Sequence, residues 1–139
     1  MSDSAESKVG TIGWRDLTVE NAEAVRDFYQ RVVGWESRPV SMGDYDDFSM
    51  VAPGSGDTVA GICHARGSNA DIPPQWLVYI VVEDVERSAA LTLDHGGDLV
   101  AGPRALAGGR FCVIRDPAGA VCALFQPPAE GKPEGGTTT

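Results

Sequence analysis

Eight side chains in this sequence have the type and placement for chemistry or small-molecule recognition: Trp14, Asp16, Asp47, His64, Trp76, Tyr79, Arg110 and Phe125. Asp16 and His64 are the candidate acid–base groups, because a carboxylate or imidazole can move a proton at a bound substrate. Trp14, Trp76, Tyr79 and Phe125 can stack on a flat molecule, while Asp16, Asp47 and Arg110 can orient it. No nucleophile, base and orienting group stand in a recognisable series. The three cysteines, Cys63, Cys112 and Cys122, are odd in number and lack a C-x-x-C spacing, so they predict neither a disulfide framework nor a structural zinc site. They read as buried free thiols.

These residues must be positioned by one domain, since 139 residues with 42% hydrophobic content suffice for a single core. Twenty acidic against 11 basic side chains give a net charge of −9, and the basic residues are scattered singly. That balance argues against nucleic acid and against anionic membrane surfaces, both of which need clustered Lys and Arg. No apolar run approaches a bilayer span and Met1–Gly10 lacks the apolar core of a secretory signal, so a cytoplasmic location is expected. Residues 1–9, polar and charged, and 128–139, rich in Pro, Gly and Thr, are expected to be mobile ends around a body at 10–127.

The body repeats. At an offset of 63, without a gap, seven pairs are identical: Val19/Val82, Glu20/Glu83, Glu23/Glu86, Gly34/Gly97, Phe48/Phe111, Gly56/Gly119 and Ala60/Ala123. The glycine pairs fall where each half needs a helix stop and a tight hairpin. In the first half, Gly13–Val19 alternates as a strand. Asn21 then caps a helix with apolar Ala22, Val25, Tyr29 and Val32, which ends at Gly34. Strands at Glu36–Ser41, Tyr45–Val51 and Thr58–His64 follow. The second half predicts Trp76–Val82, a helix capped by Asp84 and ending at Gly96-Gly97, a strand near Asp98–Ala101, and a hairpin of Gly109–Arg115 with Ala120–Gln126. The fold class is α+β: two tandem βαβββ modules, about 10–66 and 74–127, each with a helix on one sheet face and the other face free to line a cavity.

The ordered segments Trp14-Arg15-Asp16-Leu17, Asp27-Phe28-Tyr29, Gly34-Trp35, Trp76-Leu77-Val78-Tyr79, Glu83-Asp84-Val85, Gly96-Gly97 and Asp116-Pro117-Ala118-Gly119 resemble the vicinal oxygen chelate superfamily of glyoxalases, bleomycin resistance proteins and dioxygenases. Within it they are similar to the actinobacterial 27 kDa antigen, or "hydroxylase", group. The resemblance implies that metal-dependent members take His, Glu or Gln ligands from the first and fourth strands of each module. The positions that match are Trp14, Ala60, Leu77 and Ala123, none of which can ligate a divalent ion. No metal and no cofactor are therefore expected. The resemblance also implies a homodimer, with a sheet edge open to a second chain.

Strand parity assigns Trp14, Asp16, Thr18, Tyr79 and Val81 to the cavity face, with Leu17, Val19, Ile80 and Val82 beneath the helices. The same reasoning adds Thr58, Ala60, Ile62 and His64, then Val121, Ala123 and Phe125, and across the hairpins Asp47, Cys112, Ile114 and Arg110. Two functions fit such a lining. One is metal-independent binding of a hydrophobic or aromatic small metabolite, of the sequestration or resistance type. The other is a metal-free isomerase, cyclase or lyase using Asp16 or His64. A scaffold module whose side chains fill the cavity is a third.

Overall fold

A computed structural model describes residues 8–129, and the expected mobile ends fall largely outside them. The architecture is α+β, with eight strands and two helices in the order βαβββ, βαβββ, as the repeat predicts. The strands are β1 (Ile12–Val19), β2 (Glu36–Ser41), β3 (Asp46–Val51), β4 (Thr58–His64), β5 (Trp76–Val81), β6 (Asp98–Leu106), β7 (Gly109–Arg115) and β8 (Val121–Gln126). The helices are α1 (Ala22–Val33) and α2 (Val85–Asp94). The chain divides into two compact units, 14–77 and 8–13 with 78–129.

In the first unit the strand order is β2-β3-β4-β1, with β1 and β4 parallel and the other pairs antiparallel. Ala22, Phe48, Met50 and Ile62 form the buried core under α1, joined by Val19, Val25, Tyr29, Trp35 and Trp76. Burying one such side chain is worth about 1.5–3 kcal/mol, so this apolar row fixes which sheet face takes the helix. Ala22, Val25 and Tyr29 hold the inward stripe of α1 as expected. Val32 does not: it is 64% exposed on the opposite side. Asn21 likewise makes no side-chain cap, whereas Asp84 accepts from Arg87 N–H at 3.1 Å and caps α2. Gly34 ends α1 in the left-handed conformation, φ 87°.

In the second unit the order is β5-β8-β7-β6, with β5 and β8 parallel. Val85, Ala89, Cys112 and Leu124 form the core beneath α2, with Ile80, Val82, Leu99, Ile114 and Cys122 packed on them. Strand β6 runs past the expected Ala101 to Leu106, with register shifts between Leu99 and Arg104. Both hairpin glycines, Gly56 and Gly119, have positive φ, matching their shared role in the repeat. The helix stop is different. Gly96, not Gly97, carries the positive φ, because α2 is two residues shorter than α1 (10 against 12).

Candidate functional site

The helix-free face of the first unit brings together Trp14, Asp16, Ser49, Gly61 and Cys63. Asp16 and Gly61 are partners across the parallel pair β1/β4, and Ser49 and Gly61 across β3/β4. Gly61 is the hollow of this face. A β-carbon there would lie 3.3 Å from Asp16 Cβ and 3.5 Å from Trp14 Cζ2, so the indole edge lies over the glycine with the carboxylate beside it. Trp14, Asp16, Ser49 and Cys63 are half-buried, which leaves an aromatic surface, a carboxylate and a hydroxyl in reach of solvent.

Asp47 supports this face from the end of β3. Its carboxylate Oδ1 accepts the His64 backbone N–H at 2.8 Å and lies 3.2 Å from His64 Nδ1. His64 is buried on the α1 side, against Phe48 and Tyr45, and its Nε2 lies 3.2 Å from Glu23 Oε1 of α1. That contact holds the Glu23 carboxyl below the usual carboxylate range. The imidazole thus ties the helix to the carboxylate of Asp47 and does not share the face of Asp16. Burial raises the Cys63 thiol, and the charges of Asp16 and Asp47 with a hydrogen bond to Asp47 raise it further. Cys112 is pushed up to about 11, mainly by burial, so both thiols stay protonated at neutral pH.

Several expected lining residues stand elsewhere. Ala60 and Ile62 are buried: Ile62 packs under α1, and Ala60 is the cross-strand partner of core residue Met50. The gapless repeat slips along β3 and β4. Asp16 pairs with Gly61, while its repeat counterpart Tyr79 pairs with Ala123, so Gly61 and not Ala60 corresponds to Ala123. A bulge between Met50 and Val51 and a longer hairpin, 52–57 against 116–120, account for the shift. For the same reason Phe48 lies under α1, while Phe111 alternates away from α2. Trp76 is also turned to the helix side: its Nε1–H donates to Tyr29 Oη at 3.0 Å, and its ring packs on Trp35.

In the second unit, Arg110 donates to Glu86 of α2 from Nε at 2.9 Å and from Nη2 at 2.6 Å. It lies on the helix side, as do Cys112 and Ile114, and has no place on the open face. Tyr79 and Phe125 alternate to the helix-free face with Phe111, whose ring is 6.3 Å from that of Tyr79. Tyr79 and Phe111 are buried, and Phe125 is half-buried. Arg104 stands over the Phe111 ring at 5.3 Å, a cation–π contact that sequence reasoning missed because β6 was expected to end at Ala101. Gly61 was missed through the parity error on β4.

The pairing of β1 with β4 and of β5 with β8 moves one of the four positions at which the resemblance implied metal ligands, so that they become Trp14 and Gly61 in one module and Leu77 and Ala123 in the other, with Gly61 replacing Ala60. None offers an imidazole, thiolate or carboxylate, and among the described residues no three His, Cys, Asp or Glu converge on one point. This residue set does not fit a divalent ion. No helix among the described residues is long and apolar enough to cross a membrane.

Comparison with known proteins gives the same architecture. The sequence pattern described as the Glyoxalase/Bleomycin resistance protein/Dioxygenase superfamily matches residues 11–124. The Mycobacterium tuberculosis protein CFP32, provisionally named a glyoxylase, is 28% identical over 122 residues, 87% of this chain and 46% of that protein. The Streptomyces peucetius anthracycline biosynthesis protein DnrV is 26% identical over 111 residues, 80% of this chain and 39% of that one. The chain thus spans about half the length of the curated relatives it matches. Among solved structures, a Streptomyces coelicolor methylmalonyl-CoA epimerase in complex with 2-nitronate-propionyl-CoA is similar in fold. Its TM-score is 0.53 at 16% identity, over 88% of this chain and 97% of that one.

Proposed function

Because the chain belongs to the Glyoxalase/Bleomycin resistance protein/Dioxygenase superfamily, we propose that it binds a hydrophobic or aromatic small metabolite without a metal ion, on the helix-free sheet face of its first module. The observation that carries this reading is the Trp14 indole laid over Gly61 beside the half-buried Asp16 carboxylate. A planar ring can stack on the indole, and a donor on that ring can meet Asp16. The relative from Streptomyces peucetius bears a name that places it in the biosynthesis of anthracyclines, which are planar polycyclic aromatics. A ligand of that shape suits this face. Tyr79 and Phe125 are proposed as ligand-binding residues of the second module's own helix-free face. The acid–base alternative, a metal-free isomerase, cyclase or lyase, rests on Asp16 alone, because His64 is buried on the other side of the sheet and engaged by Asp47 and Glu23.

The test is mass spectrometry of small molecules that co-purify with untagged protein prepared in chelator throughout. An aromatic compound at one per chain, unchanged by the chelator, is expected. A transition metal at one per chain that survives dialysis, and whose removal releases the compound, would refute metal independence.

A further inference from the structure

The helix-free face of the second module carries a row of side chains that crosses the sheet from β6 to β8. Arg104 pairs with Phe111, and Phe111 with Phe125, so a guanidinium and two aromatic rings stand side by side on neighbouring strands. The backbone is shaped to bring them there. Register shifts between Leu99 and Ala101 and between Ala101 and Arg104 set Arg104 opposite Phe111. Gly102, inside that irregular stretch, comes so close to β7 that a β-carbon on it would meet the Phe111 carbonyl oxygen at 2.7 Å. At the other end of the row, a β-carbon on Gly109 would lie 3.1 Å from Phe125 Cζ, so the glycine leaves the room that the ring fills. The Arg104 guanidinium lies over the Phe111 ring at 5.3 Å with its Nε out of contact with water, which fixes the direction of its planar fork. Tyr79 and Phe111 are buried, whereas Arg104 and Phe125 are half-buried, which leaves the two ends of the row in reach of solvent.

From this arrangement we infer that the open face of the second module binds an aromatic acid, with Phe125 stacked on the ring and Arg104 paired with the carboxylate; the inference rests on the ligand-binding role proposed for that face. Neighbouring strands lie about 4.8 Å apart, so the backbones of Arg104 and Phe125, two strands from each other, are separated by about 10 Å, the reach of one or two fused rings that bear an acid group. A guanidinium carries five N–H donors in one plane, so it can hold a neighbouring group on one edge and grip a carboxylate through two parallel bonds on another. A lysine there would be a point charge without that plane. The net charge of −9 repels anions, so a preference for an acid over a neutral ring of the same shape requires a local cation of this kind. The open face of the first module has the opposite bias, since the carboxylate of Asp16 calls for a donor on the ring.

Calorimetry of the full chain with 2-naphthoate and with 2-naphthamide, its neutral isostere, tests this. Wild type is expected to bind the acid about tenfold more tightly than the amide. Arg104→Gln should lose that preference while its affinity for the amide changes by less than about twofold, and Arg104→Lys should keep only part of it. Phe125→Ala should weaken both probes by the same factor, about fivefold to tenfold. A roughly tenfold excess of inorganic phosphate should leave 2-naphthoate bound, because phosphate has no ring to stack. Circular dichroism establishes that each variant is folded, and the comparison of acid with amide in wild type needs no variant. A wild type that binds neither probe or binds the amide as tightly as the acid, an Arg104→Gln protein that still prefers the acid, or displacement of the acid by phosphate would overturn the inference. Binding of the acid that is lost in Trp14→Ala but kept in Arg104→Gln would place it on the first module's face, which overturns this inference and leaves the reading of that face intact.

Discussion

Gly97→Ala is expected to destabilise the fold by about 2–4 kcal/mol, the range of severe overpacking, although Gly97 is not the residue in a left-handed conformation. A β-carbon at this position would meet the Arg115 carbonyl oxygen at 2.5 Å and Thr92 Cγ2 at 2.8 Å. The oxygen belongs to the backbone of β7, whose Arg115 is the cross-strand partner of Asp98, so it cannot withdraw without opening the first pair of the ladder. Its neighbour Gly96 serves a different purpose. Its φ of 95° would strain an alanine by about 1–2 kcal/mol, with no β-carbon contact closer than Pro117 at 3.9 Å. Urea denaturation of both variants separates the two roles. Gly97→Ala is expected to lose more stability than Gly96→Ala, and the reverse order would mean that β6 does not approach β7 this closely.

Gly61→Val is the corresponding experiment at the candidate site, with an expected loss of ligand affinity of at least about tenfold. The β-carbon alone would sit 3.3 Å from Asp16 Cβ and 3.5 Å from the Trp14 ring, a contact that a few tenths of an ångström relieve. Gly61→Ala should therefore cost less than about threefold. The two further methyl groups of valine would occupy the place of the indole edge and lift it from the sheet, which removes the stacking surface, worth about 0.5–1.5 kcal/mol beyond buried area, together with the alignment of Asp16. Gly61 does not have a positive φ, so the backbone accepts either side chain and the protein should remain folded. Calorimetry on the two variants checks the gradient from alanine to valine. Equal affinities for wild type and Gly61→Val would show that the ligand does not lie on this face.

The strand and helix order, and the face assignment of Trp14, Asp16 and Tyr79, were legible in the sequence because β1 and β5 alternate cleanly and feed helices with regular apolar stripes. Legibility failed where the backbone changes count. The bulge at Met50/Val51 and the longer first hairpin shift β4 by one residue against the repeat, and one residue turns every side chain to the other face. Ala60, Ile62 and His64 therefore moved beneath α1, and Gly61 took the open position. On β7 no bulge is involved: the hairpin pairs Phe111 with Phe125 and Val113 with Ala123, so Arg110, Cys112 and Ile114 follow the parity of Leu124 under α2 and the expected cross-strand pairing was one residue out. Trp76 shares the parity of Ile80, so the alternation of β5 already set it against the face of Tyr79; the contact with Tyr29 and Trp35, more than 40 residues away, holds its ring on the helix side. Identical residues at a fixed offset locate modules, but they do not fix register within a hairpin.

The face of Trp14 and Asp16 is proposed to hold an aromatic ligand without a metal. The most direct measurement is a titration of the co-purified compound, in chelator, into wild type, Trp14→Ala and Asp16→Asn, followed by tryptophan fluorescence and calorimetry. Trp35 and Trp76 lie on the helix side of the sheet, so quenching should come from Trp14 and be absent in Trp14→Ala. Affinity should fall about tenfold in Trp14→Ala and should not respond to chelator, while Asp16→Asn should change which ring substituents are tolerated. Binding of the same compound by both variants with wild-type affinity, or binding that disappears in chelator, would contradict the site.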